Sequence, residues 1–331
     1  MILRPATLSL ILIALLTAGL GLYAGYYAVK IHENWDTSCG SEQQLALERR
    51  TYLISTIMSF VITLELISLF LFIYTADNLH NQFAGAMCAA GSLAVNPYGY
   101  PALLLKVINF LLGGVWLILN RADNKGYDYP LIRTKAAFLT VMVPLLVQES
   151  ITVILYFIGI KTDVITSCCG SLFSSAANSF TGDLAALPHR PMQILFFLSM
   201  AITLLSGIFF YTRKRSGYLF SISSAVTFLI SIISIISFIS LYIYELPSHH
   251  CPFCLLQKEY DYIGYTLYIC LFGGAVAGIA TGVLMPYRQI GSLKRIIPET
   301  QRRLALAAVI FYLIFSLVTA WKILASTLKL G

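Results

Sequence analysis

The sequence predicts an all-α fold, a polytopic transmembrane helical bundle of about eight spans. Of its 331 residues 58% are hydrophobic and only 11% are charged, whereas a soluble domain has about 25% charged residues. Apolar runs of 18 or more residues recur, and each can cross a hydrocarbon core of roughly 30 Å as a helix. The alternating segments of about ten residues that form membrane barrels do not appear.

Eight apolar segments are candidate helices. They cover residues 8–29, 51–75, 101–120, 136–160, 192–211, 218–244, 262–285 and 304–327. The first is longer than the h-region of a signal peptide, which has 7–15 residues in general, and no small-x-small cleavage site follows it. We therefore interpret it as a retained anchor.

The basic residues indicate which side each loop faces. Of the 22 Lys and Arg residues, 15 lie in the loops 30–50, 121–135, 212–216 and 286–303, which the positive-inside rule assigns to the cytoplasm. These residues lie in short clusters between spans, as in the loops of membrane proteins, and do not form one basic patch. This distribution excludes nucleic acid as a partner. The remaining loops then face the exoplasm, which is the periplasm if this is a bacterial inner-membrane protein. The side of the N-terminus stays open, since Arg4 and the pair Arg49 and Arg50 favour opposite answers.

A helix, a cysteine-bearing loop and a returning helix occur three times. After an anchor and first loop (1–50), the copies cover residues 51–121, 135–215 and 217–331, the last including one extra helix. The first two copies each place an acid within a span, Glu65 and Glu149. An acid inside a membrane is costly and is a functional candidate by default, so these two predict a proton or ion path.

The seventh candidate helix carries a packing signal. Gly274, Gly278 and Gly282 repeat at a spacing of four residues. Small residues at this spacing let two helix backbones approach closely in a membrane. We expect a neighbouring helix to pack against this glycine face.

The seven cysteines divide by predicted side. Cys39 lies in a cytoplasmic loop, Cys270 lies inside the seventh helix, and five lie in exoplasmic loops: Cys88, Cys168, Cys169, Cys251 and Cys254. An exoplasmic compartment lets disulfides persist.

The segment "SHHCPFCLLQK" places a C-x-x-C pair at the predicted outer end of that helix. Cys251 and Cys254 can form a short-loop disulfide, and a helix N-terminus favours a thiolate there. Pro252 suits a first helical turn. His249 and His250 could lower a thiol pKa or move protons, so His250 is a candidate catalytic residue. The alternatives are a metal site or two cysteines that only staple a loop.

This motif resembles the C-x-x-C-h-h-[Gln/Glu]-Arg signature of the DsbB family, which passes electrons from a periplasmic dithiol protein to a membrane quinone. The resemblance implies that Cys254 lies beside the quinone, that Cys251 is its disulfide partner, and that Gln257 and Lys258 contact the quinone. On a continuous helix Cys254, Lys258 and Asp261 would share one face. The chain has lysine where that family has arginine.

That family needs a second cysteine pair, and here it would come from upstream, with Cys168 and Cys169 or with Cys88. Cys168 and Cys169 are adjacent, and a strained disulfide between neighbours is readily reduced. A loop pair upstream of C-x-x-C resembles the order in the vitamin K epoxide reductase family. Alternatively, these two cysteines with Cys88, His189 and His249 would form a soft-metal site for Cu(I), Zn or Hg, although they match no recognised zinc pattern.

These observations favour an integral membrane thiol–disulfide oxidoreductase. It would exchange electrons between an exoplasmic or periplasmic thiol protein and a quinone in the surrounding lipid, with no metal. Its reaction centre would be Cys251 and Cys254, and Cys168 and Cys169 would act as the shuttle. A soft-metal transporter or binding protein, and a noncatalytic membrane anchor of an electron-transfer complex, are the alternatives.

Overall fold

The computed structural model describes residues 4–35, 42–161, 166 and 180–328. Within these ranges the chain is mostly helical and contains no strand. The helices are α1 (Pro5–Asn34), α2 (Glu42–Leu79), α3 (Ala89–Leu93), α4 (Gly99–Asp123), α5 (Ile132–Ile158), α6 (Phe180–Ala185), α7 (His189–Arg213), α8 (Gly217–Tyr244), α9 (Ile263–Val283) and α10 (Ile296–Ala325).

Eight of these helices are long and apolar enough to cross a membrane, which confirms the predicted fold class. They are α1, α2, α4, α5, α7, α8, α9 and α10. Most extend a few residues beyond the apolar runs, because polar residues at the ends of a run continue the same helix. The protein is a multi-pass helical membrane protein.

Helix α8 contains one irregular segment. Its residues Ile235–Ile239 form a π-helical turn between two α-helical stretches. Such turns shift one backbone carbonyl away from its usual partner, and they often occur at functional sites. The carbonyl oxygen of Ile236, in this turn, accepts a hydrogen bond from the imidazole of His250.

The described residues form two compact units, each discontinuous in sequence. The first unit draws on residues 1–75, 95–161 and 287–297, and the second on 76–94, 162–286 and 298–331. These units are defined by packing and do not test the threefold repeat, which stays a prediction.

In the first unit α5 packs along α1 and α4. Its core includes Met58, Trp116, Met142 and Leu146, all at most 1% exposed. Buried polar residues lie in the same helices: Glu65 and Ser68 on α2, Lys106 and Asn109 on α4, and Glu149 on α5.

In the second unit α8 packs between α7 and α9. The glycine face of α9 meets α8 as the spacing predicts: a Cβ added at Gly278 would lie 2.5 Å from the Cβ of Ser224. Helix α10 joins them, since the Tyr312 hydroxyl donates to the Ser224 carbonyl at 2.9 Å. Small residues thus bring three backbones close together.

Candidate functional site

Three cysteine side chains from distant parts of the sequence meet in the second unit. The Sγ atoms of Cys88 and Cys251 are 3.5 Å apart, and those of Cys88, Cys251 and Cys254 all lie within 4.8 Å of one another. The exposed fractions of these residues are 0%, 0% and 4%. We call these three residues the thiol cluster. The spacing predicts that Cys251 and Cys254 are neighbours, whereas Cys88 is a third member 163 residues away from Cys251.

The end of α2 and the start of α3 position Cys88. A 3-10 turn at His80–Gln82 follows α2, and Cys88 precedes α3 with an extended backbone. The Asp77 carboxylate accepts a hydrogen bond from the Ala89 N–H at 3.1 Å. This N–H lies in the first turn of α3 and has no partner within the helix, so Asp77 fixes the backbone beside Cys88.

The C-x-x-C motif lies in a loop between α8 and α9, so its predicted position in the first turn of a membrane helix is wrong. Cys254–Leu256 forms one 3-10 turn and Lys258–Tyr260 another. Gln257, between them, is extended, and both Asp261 and Tyr262 have left-handed backbones with φ of 54°. Helix α9 therefore begins only at Ile263.

The expected helix face of Cys254, Lys258 and Asp261 is wrong for the same reason. A face at spacings of four and three requires an unbroken helix, and the extended Gln257 interrupts it. Lys258 is exposed. Contact of Lys258 with a quinone stays a prediction.

Gln257 connects the two halves of the cluster. Its amide nitrogen donates to the Asp77 carboxylate at 3.3 Å and to the Met87 carbonyl at 2.9 Å. Both acceptors belong to the segment that carries Cys88. A residue that the motif resemblance assigns to quinone binding thus holds the Cys88 segment against the C-x-x-C loop.

Asp77→Ala is expected to loosen the thiol cluster. The change removes the acceptor for Ala89 and one acceptor for Gln257, and hydrogen bonds to a charged group contribute about 1.5–3 kcal/mol. The yield of a Cys88–Cys251 disulfide under a mild oxidant, read by nonreducing peptide mapping, should fall several-fold. Asp77→Asn keeps an acceptor oxygen and should stay near the wild-type yield; equal loss in both variants would contradict this positioning role.

Two tyrosines hold the loop backbone. The Tyr244 hydroxyl, at the end of α8, donates to the Cys251 carbonyl, and the Tyr268 hydroxyl, on α9, donates to the Pro252 carbonyl at 2.7 Å. The loop is therefore fixed from both helices that flank it, and the cysteine side chains are left to face one another.

The two adjacent histidines have different surroundings. The Nε2 atom of His249 lies 3.3 Å from the Cys254 Sγ. His250 instead places Nδ1 2.9 Å from the Ile236 carbonyl in the π-helical turn, and its ring stacks on His189 at 6.3 Å. Burial lowers the pKa of the His250 imidazole, although the bond to Ile236 opposes this. A catalytic role of His250 stays a prediction, but the imidazole in contact with the cluster belongs to His249.

Gly264 lets the loop lie on the first turn of α9. A Cβ at this position would be 2.8 Å from the Leu255 carbonyl oxygen and 2.9 Å from its carbon. Gly264→Ala is expected to displace the 3-10 turn that carries Cys254 and to destabilise the fold by about 1–3 kcal/mol. The measurement is the alkylation rate of Cys254 together with the thermal midpoint. Gly291→Ala, where nothing lies within 4 Å of the new Cβ, is the control, and equal behaviour of the two would contradict the close approach.

Among the described cysteines, only Cys270 lies outside the thiol cluster. Cys39, Cys168 and Cys169 lie outside the described residues, so the predicted shuttle pair stays a prediction. Cys270 is buried within α9 and is not part of the group of three.

The two intramembrane acids meet in the first unit, around a lysine that lies within the predicted span 101–120. The Nζ atom of Lys106 lies 2.7 Å from Glu65 and 2.7 Å from Glu149. We call Glu65, Lys106 and Glu149 the Lys106 triad. The signal was present in the sequence, because a lysine inside a span needs an acidic partner and two acids were available.

The thiol cluster allows two kinds of chemistry. Sulfurs at this distance can form a disulfide after small movements, since an S–S bond is about 2.05 Å long. Three thiols with one imidazole can alternatively bind a soft metal ion. Both reactions use the thiolate form, and His249 is placed to exchange a proton with Cys254.

No protein-family model, curated protein or solved structure matches the chain. The resemblance in residues 251–258 therefore stands on the motif alone.

Proposed function

We propose that this protein is a membrane thiol–disulfide oxidoreductase that exchanges electrons between an exoplasmic dithiol protein and a membrane quinone. The observation that supports it is the third thiol: Cys88 lies 3.5 Å from Cys251, at the C-x-x-C pair. Disulfides move by attack of a thiolate on a neighbouring sulfur, and this cluster contains both an attacking and a leaving sulfur.

The exchange within the cluster can be written atom by atom. With Cys251 and Cys254 joined, the Cys88 thiolate attacks the Cys251 Sγ, the Cys88–Cys251 bond forms, and the bond to Cys254 breaks. Cys254 leaves as a thiolate in contact with His249, which can protonate it. When two thiols return to a disulfide, a quinone takes up the two electrons and two protons and becomes the quinol.

Burial of the cluster suggests which cysteines react with the quinone and which react with the protein partner. A folded protein partner cannot reach side chains that are 0–4% exposed, whereas a small apolar quinone can arrive from the lipid. The partner would then react with Cys168 and Cys169 in their loop. We propose that the cluster lies on the exoplasmic side, which is the periplasmic side of a bacterial inner membrane. The positive-inside rule assigns the basic loops to the cytoplasm, and the cysteine loops lie at the other ends of the spans.

Mass-tagged alkylation, carried out after each treated sample of the purified protein has been acid-quenched and denatured so that buried thiols react, tests the proposal. After reduction, a short-chain quinone should protect two of the three cluster cysteines from the tag, and a dithiol protein or small dithiol should restore them. Cys270, outside the cluster, is the internal control and should keep its tag throughout. Cys254→Ser should lose quinone-dependent dithiol oxidation. Cluster cysteines that stay tagged with quinone, or stay blocked after the dithiol, would contradict the proposal, and the second result fits the noncatalytic anchor.

Soft-metal binding is the second candidate, and one observation favours it. The three sulfurs lie within 4.8 Å of one another, and the His249 Nε2 lies 3.3 Å from one of them. Four ligands at about 2.0–2.3 Å around a zinc ion are separated by roughly 3.3–3.8 Å. The three thiolates thus suit Cu(I) or zinc, whereas His249 contacts only the Cys254 sulfur among them and would have to move to become a fourth ligand.

Metal titration separates the two candidates. A metal site predicts one tightly bound Zn or Cu(I) per chain, strong protection of all three cysteines from alkylation, and similar loss of binding in Cys88→Ser, Cys251→Ser and His249→Ala. The oxidoreductase predicts no stoichiometric metal and protection of a cysteine pair by quinone alone. Stoichiometric binding with no quinone response would replace the first proposal by the second.

A further inference from the structure

The charges of the Lys106 triad do not cancel when all three residues are ionised. The Nζ atom of Lys106 donates to Glu65 and Glu149, each at 2.7 Å, and to the Ser68 hydroxyl at 2.6 Å. An ammonium has three donors, so all three are used and the lysine is held in its charged form. One lysine cation facing two carboxylates leaves a net charge of −1, and the three charged residues are only 2–4% exposed.

An isolated charge in this environment is strongly unfavourable, and a group under such a penalty takes up a proton instead. A metal cation cannot be the compensating charge, because the ammonium already occupies the position between the two acids. A proton needs no additional volume. One proton makes the triad neutral.

The contacts indicate which acid holds the proton. Glu65 accepts from Lys106, from the Ser68 hydroxyl at 2.8 Å and from Thr17 at 3.4 Å, and these donors stabilise a carboxylate. Glu149 accepts from Lys106 and, on its second oxygen, from the amide of Asn109 at 2.6 Å, and its carboxyl group also contacts that of Glu65.

Asn109 is suited to both protonation states of Glu149. It is 1% exposed, and its Oδ1 has no hydrogen-bond partner among the described residues. The nitrogen and oxygen of an amide exchange places by a 180° rotation. The Asn109 N–H donates to a Glu149 carboxylate, and after rotation the Asn109 oxygen accepts from a protonated Glu149. The contact of 2.6 Å is a normal length for an O–H···O bond.

We propose that the Lys106 triad is an intramembrane proton-binding site, in which Glu149 carries one exchangeable proton while Glu65 and Lys106 stay ionised. On release, the O–H bond of Glu149 breaks and the proton passes to water as hydronium; on uptake the reverse occurs. Asn109 rotates between the two states. This site is independent of the thiol chemistry of the other unit.

Infrared spectroscopy of the whole protein in lipid or detergent tests this inference. Wild type should show the C=O band of a protonated carboxylic acid, and D₂O should shift it because the proton exchanges. Glu149→Gln should remove the band. Glu65→Gln should also remove it, because Lys106 and Glu149 then form a neutral pair with both groups ionised. Asn109→Leu should shift the frequency of the band, since its hydrogen-bond partner is lost.

Two controls make the result specific. Glu245→Gln, at an exposed acid, and Cys251→Ser, in the thiol cluster, should both keep the band. Identical spectra of wild type and Glu149→Gln would overturn the proposal. A C=O band that is still present in Glu65→Gln, or that does not shift in D₂O, would also overturn it. If one glutamine variant fails to fold, the other still decides the outcome. Loss of thiol activity with an intact band would count against the oxidoreductase alone.

Discussion

Cys251→Ser is expected to abolish quinone-dependent dithiol oxidation, by roughly 10³-fold or more, as removal of a covalent reactive group does in enzymes. Cys251 is the common member of the cluster, since it lies 3.5 Å from Cys88 and within 4.8 Å of Cys254. Serine cannot form either disulfide. The initial rate of quinol formation with a small dithiol is the measurement.

Comparison with the other cysteines makes this result specific. Cys88→Ser keeps the C-x-x-C pair and should retain part of the rate. Cys254→Ser leaves Cys88 and Cys251 in contact, and peptide mapping should find them joined without turnover. Cys270→Ser, at a buried cysteine outside the cluster, should behave as wild type. An active Cys251→Ser protein, or equal losses at Cys251 and Cys270, would contradict the assigned chemistry.

The spans could be predicted from the sequence because membrane insertion depends on a local property. Each crossing helix needs a run of apolar residues of sufficient length, and the run is visible without knowledge of any other helix. The helix ends were less accurate: α10 begins at Ile296, eight residues before the predicted span, since charged residues at its start still form helical hydrogen bonds.

The thiol cluster could be predicted only in part. The closeness of Cys251 and Cys254 follows from their spacing, but the approach of Cys88 depends on the packing of segments 163 residues apart. The loop between the motif and α9 was also missed. Its turns use left-handed backbones at Asp261 and Tyr262, and neither glycine nor proline marks this break in the sequence.

The Lys106 triad could also be predicted only in part, for a different reason. Each member was visible as an ionisable residue within a predicted span, and the energetic cost of such residues requires partners. Distances between helices are not visible in the sequence, so the sequence alone indicates a pair of intramembrane acids, Glu65 and Glu149. Lys106 changes their chemistry, because it compensates one negative charge and leaves the second to be neutralised by a proton.

Gly278→Ala is expected to be one of the most damaging small substitutions within the membrane-spanning helices. The new Cβ would overlap the Ser224 hydroxyl and lie 2.5 Å from the Ser224 Cβ. Real Cβ contacts are not this short, so α8 and α9 would have to separate. Overpacking costs about 1–3 kcal/mol when the surroundings can adjust, and here the opposing atom is the Ser224 Cβ, which cannot move without the backbone of α8.

The helix separation should appear as a lower unfolding midpoint in detergent and as faster alkylation of Cys254, because α9 carries Tyr268, which holds the loop at Pro252. Gly19→Ala is the matched control, since nothing lies within 4 Å of its new Cβ. It should be neutral or slightly stabilising, as alanine favours a helix over glycine by about 1 kcal/mol. A second change, Ser224→Gly, removes the opposing Cβ and should partly restore the midpoint of Gly278→Ala, whereas Ser224→Ala keeps that Cβ and should restore little. Equal midpoints for the Gly19 and Gly278 variants would mean that Ser224 does not lie this close to Gly278.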